Sequence, residues 1–147
     1  MQRTFATLIV ASAAGLLVGC SSTPVDSASA KPVPADRTFE FQQDVPGGAV
    51  LVVSRDNGFW ASGGCYATVL IDGKKAARVN TGESVTFKVK PGRHIVGISG
   101  DEEGRGVCAF QIGQPLKETA SELSAGEVQM FRISGTQNGT DIRPSSK

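Results

Sequence analysis

The segment VLIDGKKAARVNTGESVTFKVKPGRHIVGI (residues 69–98) decides the fold class of this chain. Asp72-Gly73 separates two apolar-rich runs. This dipeptide is a strong hairpin signal, because a type I′ turn needs positive φ at both central positions. The run SVTFKVK (84–90) alternates apolar and polar residues, which is typical of a half-buried strand. We expect Val85, Phe87 and Val89 to face the core and Thr86, Lys88 and Lys90 to face outward. The segment therefore predicts antiparallel β-structure.

Pro91-Gly92 interrupts this pattern, and His94, the only histidine of the chain, follows it. Pro91 presets φ for the second position of a turn, and Gly92 permits positive φ at the third, so the pair predicts a type II turn. His94 then stands at the start of a strand with its ring free to bond turn carbonyls. We interpret His94 as a structural residue, with binding or catalysis as the alternative.

Further short strands are predicted on both sides of this segment. AVLVVSR (49–55) is a continuous apolar run, typical of a central strand buried on both faces. PLKETASELSAG (115–126) fits a helix or an edge strand, and we favour the edge strand. The remaining candidates are CYATVLID (65–72), KAARVN (75–80), HIVGIS (94–99), VCAFQI (107–112), EVQMFRI (127–133) and TDIRP (140–144). Turns recur about every 8–12 residues, the spacing of an antiparallel sandwich or barrel. We expect an all-β fold, a small antiparallel β-sandwich of about seven strands.

The same segment, 69–98, resembles a pattern shared by PEGA-type and transthyretin-like domains of the bacterial envelope. It is also similar to a family of small lipoproteins with the same hairpin. In that pattern one strand ends in Asp-Gly, a second leads to a Gly turn, a third ends in Pro-Gly, and a His begins the fourth. The matching positions are Val69 to Asp72, Gly73, Gly82, Phe87, Pro91, Gly92 and His94. The resemblance implies a small β-sandwich with a mostly non-enzymatic function. Cys65, Cys108 and the loop 55–64 are additions to the generic module.

The N-terminal stretch MQRTFATLIVASAAGLLVGC (1–20) has the layout of a secretory signal peptide. Its apolar part, 5–18, is too short for a transmembrane anchor, which needs about 20 residues. The end of the stretch, 17–20, resembles the bacterial lipobox. That resemblance implies diacylglycerol on the Cys20 thiol, cleavage before Cys20 and fatty acylation, such as palmitoylation, of the new amine. Ser21 stands where lipoproteins of the inner membrane carry aspartate, which implies the periplasmic face of the outer membrane. The alternative is an ordinary signal with a chance cysteine.

We divide the chain into a signal peptide (1–19), a lipidated flexible tether (20–38) and a β-sandwich domain (39–147). The tether is predicted because SSTPVDSASAKPVPADRT (21–38) is rich in Ser, Ala and Pro and has no apolar period. A segment of this composition cannot bury enough apolar surface to order itself.

With Cys20 lipidated, Cys65 and Cys108 remain as an even pair in an oxidising compartment, which favours a disulfide. In the chain-entropy model, closing a loop of about 44 residues contributes about 4 kcal/mol. Two free buried thiols or a metal pair are the alternatives, although zinc would need four ligands. In the predicted strands Cys65 shares parity with Ala67, Val69 and Ile71, and Cys108 with Phe110 and Ile112. Both thiols are therefore expected to face the core.

Composition and motifs exclude several function classes. The chain has 15 basic and 14 acidic residues with no basic stripe, so nucleic-acid binding is not expected. A Ser or Cys nucleophile needs a base, which is usually a histidine, and the chain has only one histidine for this role. The sequence also contains no phosphate-binding or metal-binding motif. The carboxylates of Glu40, Asp44 and Asp56 could form a glycosidase pair in principle, but nothing selects them. The acidic loop DEEGRG (101–106) lacks calcium-loop spacing, and we expect it to be a solvated hairpin tip. We expect no enzyme activity, no cofactor and no metal.

The loop RDNGFWASGG (55–64) is the best candidate for a binding site. Phe59 and Trp60 are large apolar side chains where a surface loop is expected, and Asn57 precedes them in a turn. Aromatic residues are enriched at interface hot spots; the alternative is that Trp60 covers the core as a lid. We interpret the chain as a lipid-anchored binding or assembly module whose partner is an envelope protein, for instance in a secretion machine, or peptidoglycan. The second hypothesis is a peptidoglycan hydrolase or inhibitor that uses the Phe59-Trp60 loop.

Overall fold

A computed structural model describes residues 22–58, 64–136 and 139–146 of this chain. In these ranges the strands are β1 Lys31–Pro32, β2 Ala49–Arg55, β3 Ala67–Ile71, β4 Lys74–Val79, β5 Glu83–Val89, β6 Gly92–Gly100, β7 Lys117–Leu123, β8 Val128–Thr136 and β9 Gly139–Ser145. Two short 3₁₀ helices span Ala35–Arg37 and Gly106–Gln111. The predicted all-β sandwich is confirmed, with nine strands in the described ranges rather than about seven. No helix within those ranges is long and apolar enough to cross a membrane.

The strands form two sheets, with orders β1-β5-β2-β8-β9 and β4-β3-β6-β7. Pairing is antiparallel except between β1 and β5 and between β2 and β8. Short connections lead from β4 to β5 and from β5 to β6, and each crosses from one sheet to the other. The ends of the strands in the two sheets therefore lie at the same two ends of the sandwich. One end of the sandwich, here named the disulfide end, carries the connections β2–β3, β4–β5, β6–β7 and β8–β9. The opposite end carries β3–β4, β5–β6 and β7–β8.

The core lies between the two sheets and consists of aliphatic and aromatic side chains. Val85, Phe87 and Val89 of β5 are buried as predicted. Other fully buried members are Leu51, Val53, Val69, Ile71, Ala77, Val79, Val96, Phe131 and Ile133. The predicted central strand β2 lies between β5 and β8. Its outward residues Val50 and Val52 are half-buried, so only the inner face of β2 is fully covered.

Of the two turns that the sequence predicts, the structure confirms one and contradicts the other. Asp72 (φ 51°) and Gly73 (φ 75°) both have positive φ, which confirms the type I′ hairpin between β3 and β4. The predicted type II turn at Pro91-Gly92 is wrong. Gly92 has φ 126° and is already the first residue of β6, whereas a type II turn needs about +80° at that position. The physical reason is that β5 and β6 belong to different sheets, so the chain bends between layers instead of reversing within one.

The segment PLKETASELSAG contains β7 at the edge of the four-stranded sheet, as predicted. The strand predicted at VCAFQI is wrong, because residues 106–111 form a 3₁₀ helix. The preceding strand β6 is already paired with β3 on one side and β7 on the other, so residues 106–111 cannot form a hairpin with it. Phe110 and Ile112 are consequently exposed, against the expectation that they share a core face with Cys108.

Residues 22–38 are not the free tether that their composition predicts. Lys31 and Pro32 form a parallel bridge to Glu83 and Ser84 at the edge of β5. Arg37 donates two hydrogen bonds to the carboxylate of Glu83, at 2.6 and 2.8 Å. Backbone pairing with a sheet edge needs no apolar side chains, so a segment without an apolar period can still be held. The packed domain therefore begins before residue 39, the boundary that the composition predicts.

Candidate functional site

Of the predicted binding and lipidation residues, the structure describes Asn57, which lies at the disulfide end. Cys20, Phe59 and Trp60 fall outside the described residues, so the predictions for these positions stay predictions. Asn57 is described and exposed. Its backbone pairs with Thr23 in an antiparallel bridge, with N–O distances of 2.7 and 2.9 Å. The end of β2 thus holds the N-terminal segment three residues after Cys20.

Ser22 strengthens this attachment through its side chain. Its hydroxyl donates to Oδ2 of Asp56 at 2.7 Å and accepts from the backbone N–H of Gly135 at 3.0 Å. Asp56 is buried, and it also accepts two hydrogen bonds from Arg132, at 2.6 and 2.7 Å. Bidentate arginine–carboxylate pairs are strong and geometrically specific. The start of the described chain is therefore fixed to a rigid, charge-paired site on the sandwich.

The Cys65–Cys108 disulfide predicted from the sequence is present. It joins buried Cys65, just before β3, to the 3₁₀ helix Gly106–Gln111. The neighbouring apolar side chains of this segment point away from the core: Val107 is 74% exposed, Phe110 84% and Ile112 52%. We name these three residues the exposed apolar segment. The disulfide fixes this segment to the β2–β3 connection, in which the predicted aromatic loop lies.

A cation–π stack lies beside the disulfide. The guanidinium carbons of Arg37 and Arg78 are 4.6 and 4.7 Å from the ring centroid of Tyr66. Arg78 donates to Asp101 at 2.8 Å and to Glu103 at 2.7 Å. Asp101 is 2% exposed, so the prediction of a fully solvated tip at residues 101–106 is wrong for this residue. Every charge of this cluster has a partner within the fold, which indicates a structural role in holding the disulfide end.

Arg55, the last residue of β2, is buried in the same region. It is 2% exposed, and its guanidinium donates to the backbone carbonyls of Cys65 at 2.7 Å and Val79 at 2.8 Å. Burial lowers the pKa of Arg55 to about 10, partly offset by the charge of Glu83, so the side chain still carries its positive charge at neutral pH. Arg55 therefore ties the end of β2 to the residue that forms the disulfide and to the end of β4.

The three carboxylates considered for a glycosidase pair are not gathered at one place, because Asp56 and Asp44 lie near opposite ends of β2. Asp56 pairs with Arg132 beyond the end of β2. Asp44 pairs with Lys88, which lies beside Val50 near the start of β2. The described residues hold no group of three or more His, Cys, Asp or Glu side chains placed to bind a metal ion.

His94 lies at the opposite end of the sandwich. Its Nδ1 is 2.7 Å from Oδ2 of Asp72, and its Nε2 is 2.8 Å from the carbonyl oxygen of Lys90. Oδ1 of Asp72 in turn accepts from the backbone N–H of Ile95 at 2.8 Å. His94 thus joins the β3–β4 hairpin to the start of β6. These contacts support the structural interpretation, including the expected bond to a carbonyl near the turn.

Burial lowers the pKa of His94, but the Lys90 carbonyl and the Asp72 carboxylate outweigh it, and the net shift is upward from 6.5. A raised folded-state pKa stabilises the fold fully below the unfolded value, and this contribution is lost as the pH rises through the folded value. His94 is the only histidine. We therefore expect the free energy of unfolding, measured with urea, to fall as the pH increases from about 6.5.

The matched variant is His94→Gln, which should lose at most about 1 kcal/mol near pH 6, the typical contribution of one hydrogen bond. It should also show a flatter pH profile than the wild type. A stability that rises with pH in the wild type between about pH 6 and 8, or an identical slope in His94→Gln, would contradict the proposed linkage.

The described clefts are open and shallow. One cleft, of about 470 Å³, lies on the outer face of the β4-β3-β6-β7 sheet beside Asp72, Ile95 and Glu118. A second, of about 250 Å³, lies at the disulfide end between Asn57, Lys31 and Thr81. Neither cleft encloses its contents as a typical small-molecule site does. The disulfide end is the better candidate site, because it joins the fixed N-terminal segment to the exposed apolar segment.

Sequence reasoning selected the disulfide and Asn57 but missed the other features of this end. Asp56 had been considered only as a glycosidase carboxylate, whereas it binds Arg132 and Ser22. The signal for Arg55 was its position at the end of an apolar run, where burial is common. No signal in the sequence pointed to the outward orientation of Val107 and Phe110, since their alternation resembles that of a strand.

Comparison of the chain with models of protein families and with curated proteins finds no match.

Proposed function

We propose that this chain is a lipid-anchored, non-enzymatic contact module of the bacterial cell envelope, attached through Cys20 to the periplasmic face of the outer membrane. The lipobox resemblance of residues 17–20 supports the anchor. The exposed apolar segment carries the proposal of contact. Exposed apolar side chains held in a fixed geometry are characteristic of interaction surfaces, and Val107, Phe110 and Ile112 are held by a disulfide.

The arrangement of charges supports a contact role over a catalytic one. Among the described residues of the disulfide end, the carboxylates of Asp56, Glu83, Asp101 and Glu103 all bind arginine side chains. A carboxylate whose oxygens accept hydrogen bonds from arginine is engaged within the fold and is not free to act on a substrate. The peptidoglycan-hydrolase hypothesis therefore gains no support from these groups. Phe59 and Trp60 follow Asn57 in the sequence and remain candidate contact residues.

The anchor is tested by the variant Cys20→Ala. We expect it to accumulate as an unprocessed precursor that migrates more slowly than the wild type, because lipoprotein signal peptidase acts only on the modified cysteine. Globomycin should cause the same accumulation in the wild type. Immunoblots of whole cells and mass spectrometry of the N-terminal peptide measure both effects.

Ser21→Asp is the matched control. It keeps Cys20, so cleavage and acylation should proceed, but the protein should move to the inner-membrane fraction according to the sorting rule that Ser21 implies. Normal processing of Cys20→Ala would disprove the lipoprotein proposal. Normal processing of Ser21→Asp with unchanged fractionation would disprove only the outer-membrane location.

A further inference from the structure

We propose that the disulfide end of the sandwich faces the lipid surface to which Cys20 is attached, and that the exposed apolar segment contacts this lipid surface. The inference rests on the proposed lipidation of Cys20 and names the partner of the contact surface. It also gives the domain a fixed orientation, with the opposite end directed away from the membrane.

The first argument is the length of chain between the anchor and the fold. Ser22 and Thr23 are hydrogen-bonded to Asp56, Asn57 and Gly135. An extended chain spans at most about 3.3–3.6 Å per residue, so the Cα atom of Cys20 lies within about 7 Å of that of Ser22. This limit holds for any conformation of the intervening residue. The acyl chains therefore leave the domain directly at the disulfide end.

The second argument is the distribution of apolar side chains. The large apolar residues that are exposed in the described chain are Phe39, Val107, Phe110, Ile112, Leu116 and Val128. Four of these six lie in the β6–β7 connection, at the same end as Ser22. Apolar side chains on a polar domain bind at the boundary between headgroups and acyl chains in proportion to the apolar area that they bury. A bilayer is the one apolar phase that the anchor places beside them.

Charge at this end is compatible with a lipid surface. Arg105 lies two residues before Val107, the first member of the exposed apolar segment, and is itself exposed. A basic side chain near a bilayer is attracted to anionic headgroups. Three acidic residues precede the segment. Asp101 pairs with Arg78, and Glu103 pairs with Arg78 and Lys75, whereas Glu102 is exposed. The local charge therefore places no unpaired acidic cluster against the membrane.

A protein partner on this surface is the competing occupant. Such a partner would have to enter between the domain and the bilayer, where the fixed Ser22 leaves about two residues of spacer. The opposite end has no such restriction. There the exposed side chains are mainly polar or charged, as at Lys74, Lys90 and Arg93. The structure thus favours lipid at the disulfide end.

Photocrosslinking tests this orientation. The photoreactive analogue p-benzoylphenylalanine replaces Phe110, which is exposed enough to accept it without repacking of the core. The matched control carries the analogue in place of Val128, which is 55% exposed at the opposite end. Each full-length lipidated protein is purified from envelopes and placed in vesicles of phosphatidylethanolamine and phosphatidylglycerol. After irradiation, intact-mass spectrometry measures phospholipid adducts. We expect several-fold more adduct at position 110 than at position 128.

A spacer variant tests the cause of this contact. A Gly/Ser insertion of about ten residues between Ser21 and Ser22 spans roughly 17 Å on average. It should free the domain from the surface and reduce the adduct yield at position 110 several-fold, while acylation of Cys20 continues. An unchanged yield would show that the short connection does not hold the disulfide end at the membrane and would overturn the inference.

The remaining outcomes separate the two proposals. An equal or lower lipid adduct at position 110 than at position 128, in a protein whose N-terminal peptide carries acyl chains, overturns the orientation and leaves the lipoprotein proposal intact. In whole envelopes, protein adducts at position 110 in place of lipid adducts would assign the surface to a protein partner and also overturn the inference. An N-terminal peptide without acyl chains would overturn the proposed function itself.

Discussion

A Cys65→Ala/Cys108→Ala variant is expected to lose about 4 kcal/mol of its free energy of unfolding, because the unfolded chain regains the freedom of a long loop. The two cysteines are 43 residues apart in the sequence. Urea unfolding of the variant and the wild type at the same pH measures the difference. Val107→Ala is the matched control. Its side chain lies in the same segment and is 74% exposed, so its effect should stay within about 0.5 kcal/mol.

Without the disulfide, the segment around Cys108 should open more readily than the rest of the sandwich. The 3₁₀ helix Gly106–Gln111 has no buried residue, so little besides the disulfide holds it against the sandwich. In the variant, backbone amides of this helix should exchange with solvent faster than in the wild type, while those of β2 and β5 keep most of their protection. A stability loss below about 1 kcal/mol, with unchanged exchange in the helix, would show that other contacts hold this segment.

The parts of the fold that could be predicted from sequence are those set by local patterns. The Asp72-Gly73 turn and the alternation in residues 84–90 depend on neighbours within a few residues, and both are observed. VCAFQI has the same kind of alternation and yet forms a 3₁₀ helix. A strand needs an open sheet edge as well as a pattern. Which strands pair with β6 depends on the topology of the whole sheet, so it cannot be read from the pattern of residues 107–112.

The candidate site was predictable only where covalent chemistry marks it. Cysteine count indicated the disulfide. The attachment of Ser22 depends on Asp56 and Arg132, which are 76 residues apart in sequence, and no local pattern relates them. Likewise, composition predicted that residues 21–38 are unstructured. It could not predict that the edge of β5 would be free to pair with Lys31 and Pro32.

Replacement of Arg55 by methionine should cost about 3 kcal/mol, although methionine fills much of the same volume. The variant leaves the carbonyls of Cys65 and Val79 without the donors that they have now, and each buried acceptor without a partner costs about 1–3 kcal/mol. Arg55→Lys should recover only part of this loss, because Nη1 donates both hydrogen bonds and the lysine side chain is one bond too short to place its ammonium nitrogen there. The control is Arg143→Met, an exposed arginine of β9, with an expected effect within about 0.5 kcal/mol.

The two large effects are expected to be coupled, since Arg55 and the disulfide both hold Cys65. In the variant without the disulfide, the connection around Cys65 can move so that its carbonyl meets water. The further loss caused by Arg55→Met should then be smaller than in the wild type, and a double-mutant cycle should show a coupling of about 0.5–3 kcal/mol. Strict additivity would mean that Arg55 stabilises the end of β4 through Val79 alone. Arg55 and the disulfide would then stabilise the disulfide end independently of each other.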